Sequence, residues 1–337
     1  MTIRKLASIQ EIDRIAVHTN ADSLELAYIG GWQVVVKKGE FQMGDLVIYC
    51  EIDSILPERP EFEFLRSKHF RIKTIKLRGA LSQGIIFPLS ILDGEQQIIA
   101  AYNIVGDKIL NTDVTEKLGI TKYETEKSLP QGDAKGNFPP FIPKTDEQRV
   151  QSAMHLIDEM QGLECYITVK EDGTSFTAYI NNGIYGICSR NLELKTDSLT
   201  IYNKISKQYD IENKLRTLNK NVAIQGEITG SGIQGNPLDL PVNTHQLHIY
   251  NIYDIDEHRY LDYDEYCLDL PTVETIYRGP FTFNLEQLLE MAKGTYVGTR
   301  NKREGIVIRP IHEKFSNRLH GRLSFKTINN EYLLGEK

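Results

Sequence analysis

The sequence predicts an α+β protein with a small β-barrel followed by a mixed domain. Over roughly the first 110 residues, short runs of β-branched and aromatic residues alternate with Gly and Pro, as in a small barrel. Beyond residue 164, strand-like runs return with a few helical segments between them, which is typical of an α+β domain. We therefore expect domains at 1–125 and 143–337, joined by a polar, proline-rich linker at 126–142.

The periodicity of the apolar residues predicts four helices. Short helices are expected at 111–123 and 147–160. A longer helix is expected at about 198–219 and a last one at 284–293. All other apolar runs in the second domain are short enough to be strands.

Composition excludes several classes of protein. The chain has 337 residues, 40% hydrophobic and 25% charged, which is typical of a soluble globular protein. No apolar run is long enough to span a bilayer, and the first residues lack the apolar core of a secretory signal. The four cysteines are far apart and form no CxxC pair, so neither a zinc site nor a disulfide framework is expected. We expect an intracellular protein, cytoplasmic or nuclear, that has no membrane partner.

The net charge of −7 argues against a surface that binds nucleic acid everywhere, but it leaves room for a local basic groove. The barrel region contains a group of basic residues that form either a solvated face or a contact surface for RNA or phosphate. They are Lys37, Lys38, Arg66, Lys68, Arg71, Lys73, Lys76 and Arg78.

The segment ITVKEDGTSF, residues 167–176, places Lys170 at the end of an apolar run, directly before Glu171, Asp172 and Gly173. An Asp-Gly pair between alternating apolar residues predicts a β-hairpin. A lysine beside such a turn is usually solvated, so this segment alone indicates no chemistry.

Several other strand-like runs also end at a charged residue. These residues are Arg190 after YGICS, Glu227 in QGEITG, Glu304 before GIVI and Lys326 in SFKTIN. Transfer of a nucleotide to a lysine requires such a set, because the amine must be neutral and its ordinary pKa is about 10.4. A nearby cation lowers that pKa, and carboxylates hold the Mg²⁺ that stabilises charge on the phosphates.

The order of these segments resembles a known family. KEDG, SRN, QGEITG, HIYNIYDI, EGIVIRP and SFKTIN resemble motifs I, Ia, III, IIIa, IV and V of the covalent nucleotidyltransferases, which include RNA ligases, DNA ligases and mRNA capping enzymes. Within that group the chain is most similar to ATP-dependent RNA ligases of the Deinococcus and Naegleria type. The segment YIGGWQVVVKKGEFQMGDLVIYCEIDSILP resembles their N-terminal OB-type module. The resemblance thus implies an OB-like barrel followed by an ATP-grasp-like nucleotidyltransferase domain of antiparallel sheets with flanking helices.

The resemblance implies a role for each matching residue. Lys170 would form the covalent link to AMP, and Lys326 would contact the α-phosphate and help to keep Lys170 deprotonated. Asp172, Glu227 and Glu304 would hold Mg²⁺ or Mn²⁺. Glu227 would also be a catalytic residue. The expected nucleotide contacts are Arg149, Val169, Arg190, Tyr253, Glu304 and Val307, with Tyr250 as the alternative to Tyr253 against adenine.

Some positions depart from the family pattern. Motif V often has two lysines, but SFKTIN has only Lys326, with Ser324 and Ile328 at the positions where a second would stand. Many phage-type RNA ligases have an acidic residue before the motif I lysine and an asparagine after it, where this chain has Val169 and Ser175. Recognition of the adenine edge is therefore expected to use the main chain or other groups.

The resemblance implies an ATP-dependent RNA ligase that joins 3′-OH and 5′-phosphate ends through lysyl-AMP and RNA-adenylate. Its expected partners are ATP and RNA, with a nicked duplex as the expected substrate and a monomeric enzyme. A GTP-dependent capping enzyme and a DNA ligase are the alternatives within the superfamily. Both carry an OB domain after motif V, whereas only eleven residues follow Lys326 here. A non-catalytic OB-type RNA-binding protein is the alternative from another class.

Overall fold

A computed structural model describes residues 4–92, 109–123 and 131–335. The chain divides into an N-terminal unit, residues 2–126 with 151–154, and a C-terminal unit, residues 127–150 with 155–337. Both consist mainly of antiparallel strands with a few short helices, so the predicted α+β class is confirmed. None of the helices in the described ranges is both long and apolar enough to cross a membrane.

In its described residues, the N-terminal unit is built from short strands and 3₁₀ segments that include Pro60–Lys68 and Leu89–Ile91. Its strands are β1 (Ala7–Glu11), β2 (Arg14–Val17), β3 (Leu24–Ile29), β4 (Trp32–Lys37), β5 (Leu46–Cys50), β6 (Ser54–Ile55), β7 (Ile75–Leu77), β8 (Ala80–Ser82), β9 (Ile85–Pro88) and β10 (Thr121–Lys122). They pair in the orders β1-β5-β9, β2-β3-β4, β6-β10 and β7-β8. The buried side chains of Trp32, Ile48 and Phe62 form part of its core.

The strands described in this unit form four separate sheets, and the expected closed barrel is not present among them. The corner between β1 and β2 shows one reason. The N–H of Ile12 donates to the carbonyl of Asp45, beside β5, whereas the next N–H, that of Asp13, donates to the carbonyl of Tyr28 in β3. Consecutive residues thus bond to different sheets, and the chain turns from one sheet into the next.

The helix predicted at 111–123 is wrong. The segment consists of turns and ends in β10, which pairs with β6. Its polar groups bond to the region of β1: the Val114 N–H donates to the Ala7 carbonyl, and the Thr115 hydroxyl accepts from the N–H of Leu6. These long-range bonds replace those that a helix would make within itself.

Among its described residues, the C-terminal unit holds two larger sheets and five α-helices. Its strands are β11 (Ala134–Asn137), β12 (Gln148–Arg149), β13 (Glu164–Lys170), β14 (Thr174–Asn181), β15 (Ile184–Cys188), β16 (Leu192–Leu194), β17 (Val222–Gly230), β18 (His245–Asp254), β19 (Arg259–Tyr260), β20 (Thr275–Pro280), β21 (Gly305–Pro310), β22 (Phe315–Ser316), β23 (Gly321–Arg322) and β24 (Phe325–Ile328). Its helices are α1 (His155–Met160), α2 (Ile201–Gln208), α3 (Ile211–Arg216), α4 (Leu285–Ala292) and α5 (Asn330–Leu333).

The first sheet has seven antiparallel strands in the order β11-β16-β15-β14-β17-β18-β19. The second has five in the order β12-β24-β21-β13-β20, with only β12 and β24 parallel. Helices α2 and α3 cover one face of the seven-stranded sheet, where Ile205 and Leu215 pack with Phe176 and Ile224. Glu227 and the side chains in line with it lie on the opposite face.

The sequence predicted only one of the helices in this unit within its bounds. The segment 284–293 forms α4, capped reciprocally by Asn284 and Gln287, so that prediction is confirmed. The segment 147–160 instead begins with strand β12, because Gln148 and Arg149 pair with β24, and only its end is helical. The segment 198–219 forms α2 and α3, separated at Asp210, whose φ of 51° is left-handed and ends the first helix.

The expected linker at 126–142 contains a strand. Residues 134–137 form β11, which pairs with β16 at the edge of the seven-stranded sheet. Ile142 is buried against Tyr179 and Tyr253. Residues 124–130, at the expected boundary, lie outside the described residues.

The predicted KEDG hairpin is wrong, because the two strands on either side of it do not pair with each other. Strand β13 pairs with β20 and β21 in the five-stranded sheet, whereas β14 pairs with β15 and β17 in the seven-stranded sheet. Residues 171–173 therefore carry the chain from one sheet to the other. A Cβ on Gly173 would lie 2.3 Å from the carbonyl oxygen of Ile228, so only glycine fits where the segment crosses β17.

Candidate active site

The five-stranded sheet places Lys170 in a row of site residues. Val307 on β21 lies opposite both Thr168 on β13 and Lys326 on β24, and Lys326 in turn lies opposite Arg149. Directly paired residues share a face of a sheet, as do residues two positions apart on one strand. Lys170, two residues after Thr168, therefore lies on the same face as Val307, Lys326 and Arg149.

Val169 lies on the other face of this sheet and is 3% exposed. Its backbone N–H donates to the carbonyl of Glu274. The Val169 side chain therefore lies on the face opposite Lys170, and its predicted nucleotide contact stays a prediction that the main chain alone could satisfy.

The Lys170 amine is paired with Glu304. The Nζ atom lies 2.5 Å from Oε2 of Glu304, the residue directly before β21. Burial lowers the pKa of Lys170, but the charges of Glu304, Glu227 and Asp172 outweigh burial, and the net pKa lies above the ordinary value. The pKa is raised because the amine has several carboxylates near it; the expected lowering by a bound cation stays a prediction.

Glu227 reaches the site from the seven-stranded sheet. It lies on β17 opposite Ser175 of β14 and His248 of β18. Burial raises the pKa of its carboxyl to about 8, and the charges of Glu304, Glu171 and Asp172 add to this effect against the opposing charge of Lys170. Glu227 is thus a carboxyl whose charged form lacks compensation, a property common at functional sites.

The expected metal set of Asp172, Glu227 and Glu304 does not form a ready-made cage. Among the described residues, no three His, Cys, Asp or Glu side chains are grouped closely enough to hold an ion by themselves. The donor chemistry nevertheless fits Mg²⁺ or Mn²⁺, since carboxylates are their preferred protein ligands. Mg²⁺ typically takes one or two carboxylates and completes its shell with waters and phosphate oxygens.

Asp146 holds two of the predicted phosphate-binding cations. Its carboxylate lies 2.9 Å from Nζ of Lys326 and 3.6 Å from Nη2 of Arg190. Burial and the charges of Lys170 and Arg149 lower the pKa of Lys326, although Asp146 opposes them. The structure thus brings Lys326, Arg149 and Arg190 to one place, and an acidic side chain is already bound between two of them.

The structure places Tyr250, rather than Tyr253, next to Glu227. Tyr250 lies in a β-bulge, because β18 has one residue more than β17 between the pairs Gln225–Asn251 and Gly226–Ile249. Its hydroxyl contacts Thr145 at 3.2 Å, and its pKa is raised by burial and by the charge of Glu227. A bulge redirects a side chain, which brings this ring to the site.

Tyr253 lies four strand positions from Glu227, counted along β17, opposite Ala223. It is 7% exposed and packs with Ile142, Tyr179 and Tyr260 in a separate core cluster. The geometry therefore favours Tyr250, the alternative, over Tyr253 as the ring nearer Glu227, and the adenine contact of Tyr253 stays a prediction.

A buried network of charges connects the two sheets behind Tyr250. Arg309 of β21, 2% exposed, pairs with Glu147 at 2.6 Å, and its guanidinium lies 5.8 Å from the centre of the Tyr250 ring. Arg322 of β23 donates to Asn251 of β18 and pairs with Glu313. Sequence reasoning missed this network; an arginine inside the apolar run GIVIRP was the one available signal.

Two tyrosines near Lys170 were also missed. Tyr296 contacts the backbone of Lys170, Asp172 and Glu304, and Tyr332 contacts the Asp172 carboxylate. No sequence motif marks either residue, since single tyrosines that are buried or half-buried are common in folded proteins.

Comparisons with known proteins agree with this geometry. A family model for RNA ligases matches residues 163–328, and a model for an OB-fold domain matches residues 6–89. The OB character predicted for the N-terminal half is thereby confirmed. A comparison with curated proteins found no match.

Solved structures similar to this chain include three of Naegleria gruberi RNA ligase. One is a mutant without ligand, at 32% identity and a TM-score of 0.84; it covers 98% of both chains. Another is a mutant with ATP and Mn, at 33% identity and a TM-score of 0.83, again with 98% of each chain covered. The third contains pyrophosphate, at 34% identity and a TM-score of 0.83, with the same coverage.

Proposed function

The chain belongs to the RNA ligase family and is an ATP-dependent RNA ligase, and we propose that Lys170 is the residue that carries AMP. One observation carries this assignment. The Lys170 amine lies at the end of β13 and is paired with Glu304. The carboxylates of Glu227 and Asp172 also lie near it. Lys326 and Val307 lie on the same face of the sheet as Lys170.

In the first step the Lys170 nitrogen attacks the α-phosphorus of ATP. A P–N bond forms, the bond between the α-phosphorus and the bridging oxygen breaks, and pyrophosphate leaves. The amine must lose a proton first, and Glu304, hydrogen-bonded to Nζ, is the nearest acceptor. In the following steps AMP passes to an RNA 5′-phosphate, and a 3′-OH displaces AMP to form the phosphodiester.

We propose that Asp172, Glu227 and Glu304 supply the ligands of Mg²⁺ or Mn²⁺, one or two of them directly. The ion would neutralise the phosphates and weaken the hold of these carboxylates on the ammonium form of Lys170. Support comes from the raised pKa of Glu227, since a carboxyl surrounded by other carboxylates gains a favourable interaction from a cation. A related enzyme, Naegleria gruberi RNA ligase, has been solved with ATP and Mn.

The nucleotide contacts follow from the row on the five-stranded sheet. We propose that adenine lies between Val307 and the Tyr250 ring, while Lys326, Arg149 and Arg190 contact the phosphates. Phosphate oxygens would replace the Asp146 carboxylate at Lys326 and Arg190. Val169 would contribute only through its main chain, which agrees with the absence of an acidic residue before Lys170.

We propose that the substrate is a nicked RNA duplex, that the enzyme is a monomer, and that the domains are 1–125 and 143–337.

In the N-terminal unit, Arg66 and Arg71 are paired with Glu63 and Asp53. Exposed basic side chains of that region suit an RNA backbone; they are Lys37, Lys38, Lys68, Lys73, Lys76 and Arg78. The four cysteines, all free thiols, suit the inside of a cell.

Labelled ATP with Mg²⁺ tests the proposal directly. The wild-type protein should form a covalent protein–AMP adduct, and Lys170→Ala should form none. Lys204→Ala, which removes an exposed lysine from α2, is the matched control and should label normally. Equal labelling of Lys170→Ala would refute the assignment, and labelling by GTP in place of ATP would favour a capping-type enzyme.

A further inference from the structure

One buried hydroxyl connects the segments that carry Lys170 and Glu304. Tyr296, 2% exposed, lies between α4 and β21. Its Oη donates to the carbonyl oxygen of Lys170 (3.2 Å) and accepts from the backbone N–H groups of Asp172 (3.0 Å) and Glu304 (3.1 Å). A phenol has one donor and two acceptor sites, so these three contacts use its whole capacity.

These contacts lie just beyond the end of the hydrogen-bonded ladder between β13 and β21. The ladder between β13 and β21 ends at the pair Lys170–Gly305, so the N–H groups of Asp172 and Glu304 lie beyond it. The Tyr296 hydroxyl accepts hydrogen bonds from these two N–H groups just beyond the last pair of the ladder. It therefore fixes the two chain ends from which the Lys170 amine and the Glu304 carboxylate project toward each other.

A second tyrosine holds the side chain of Asp172. The Oη of Tyr332, on α5, donates to Oδ2 of Asp172 at 2.6 Å. Asp172 is thus held through its main chain by Tyr296 and through its carboxylate by Tyr332. Both contacts fall on the crossover between the sheets, where no strand partner holds the backbone.

We propose that Tyr296 and Tyr332 are positioning residues for the self-adenylylation step. This inference rests on the proposed role of Lys170. Neither tyrosine contacts the amine itself; both act through the backbone and side chains of Lys170, Asp172 and Glu304. Nucleophilic attack depends steeply on placement, since a shift of about 1 Å can cost about 100-fold in rate.

Tyr296→Phe removes the hydroxyl and keeps the ring. At saturating ATP, the single-turnover rate of adenylylation should fall about tenfold or more, while the KM for ATP changes less than about twofold. Sealing of RNA that already carries a 5′-adenylate does not use the Lys170 nucleophile and should fall much less. Loss of fold integrity would instead reduce both reactions together.

Tyr185→Phe is the matched control, because it removes a hydroxyl that contacts Ser206, away from Lys170. It should leave the ratio of the two rates unchanged. Tyr332→Phe should lower adenylylation about threefold, a smaller effect because it frees only one carboxylate contact.

A wild-type rate of adenylylation in Tyr296→Phe, or a parallel loss of both reactions, would overturn the proposal. If Tyr296→Phe does not fold, Tyr332→Phe decides, and normal adenylylation by that variant is the overturning result. A wild-type protein that seals pre-adenylated RNA but forms no AMP adduct would show instead that the assigned role of Lys170 has failed.

Discussion

The two sheets of the C-terminal unit contribute different groups to one site. The five-stranded sheet supplies Lys170, the proposed nucleophile, together with the cation Lys326 and the proposed apolar contact Val307. The seven-stranded sheet supplies Glu227, whose pKa is strongly raised, and the Tyr250 ring in its bulge. Each sheet alone resembles an ordinary antiparallel sheet. The site exists only where the 171–173 crossover brings them together.

The two sheets therefore have different parts in the proposed site, because each contributes side chains of a different chemical type. In the proposed site, the cations on the five-stranded side would bind phosphate, whereas the Glu227 carboxyl on the seven-stranded side, with its raised pKa, would gain from a bound cation. Variants on opposite sides should therefore fail in different ways, and the following predictions run from the largest expected effect to the smallest.

The largest effect is expected for Glu227→Gln, on the seven-stranded sheet. The amide keeps the shape but cannot bind a cation as a carboxylate does, so adenylylation should fall about 1,000-fold. A titration of activity with Mg²⁺ or Mn²⁺ measures this loss. Glu257→Gln, which alters an exposed carboxylate paired with Arg259, is the control and should behave as wild type. Normal metal dependence in Glu227→Gln would contradict the assignment.

Lys326→Ala, on the five-stranded sheet, should lower adenylylation about 100-fold, because one cation near the α-phosphate is lost. Unlike Glu227→Gln, it should leave the response to metal concentration unchanged. Lys326→Arg should recover part of the rate, since charge is kept but its position changes. A loss confined to RNA sealing would argue against an α-phosphate contact.

Tyr250→Ala and Tyr253→Ala separate the two rings of β18. Loss of the Tyr250 ring should raise the KM for ATP about tenfold, since stacking of a base on an aromatic ring is worth about 1–3 kcal/mol. Tyr253→Ala should instead reduce the free energy of unfolding by about 3–5 kcal/mol, as for other buried aromatic residues, with the KM unchanged. The reverse pattern would restore Tyr253 as the adenine contact.

The smallest effect on activity is expected from the network that joins the sheets, whose contribution to stability falls in acid. Burial alone would raise the pKa of Glu147, but the charges of Arg309 and Arg322 outweigh it and hold the pKa at about 2, below the ordinary 4.5. Its stabilising contribution is therefore complete above pH 4.5 and is lost as the pH falls toward 2.

Denaturant unfolding between pH 5 and 2 would measure this dependence, with Glu147→Gln as the comparison. The variant should be less stable at neutral pH and should show a shallower loss of stability in acid. Parallel pH curves for the two proteins would contradict the role given to Glu147.

Residue types and local patterns predicted a large part of this molecule. The two-part organisation, the strand character around each motif and helix α4 were all apparent from periodicity. Lys170, Glu227, Glu304 and Lys326 each stand next to an apolar run, and the resemblance to the nucleotidyltransferase motifs indicates their roles. The Naegleria structures agree with the family that those segments indicated.

Other features were decided by pairing between distant segments. The Asp-Gly pair at 172–173 favours a hairpin locally, but β13 and β14 have partners in different sheets, and that preference was overridden. The position of the Tyr250 ring near Glu227 depends on one extra residue in β18. Tyr296, Glu147 and Arg309 gave little signal because their importance lies in what they contact.

The sequence by itself determined which chemistry is available: an amine, several carboxylates and a few cations, each with its charge and ordinary pKa. Only the tertiary structure decided which of them meet, and so how each pKa shifts. Lys170 is the clearest case. Its residue type permits a nucleophile, but its ion pair with Glu304 results from the pairing of β13 with β21, across more than a hundred residues of chain. Charge is a property of a side chain, whereas distance between charges is a property of the fold.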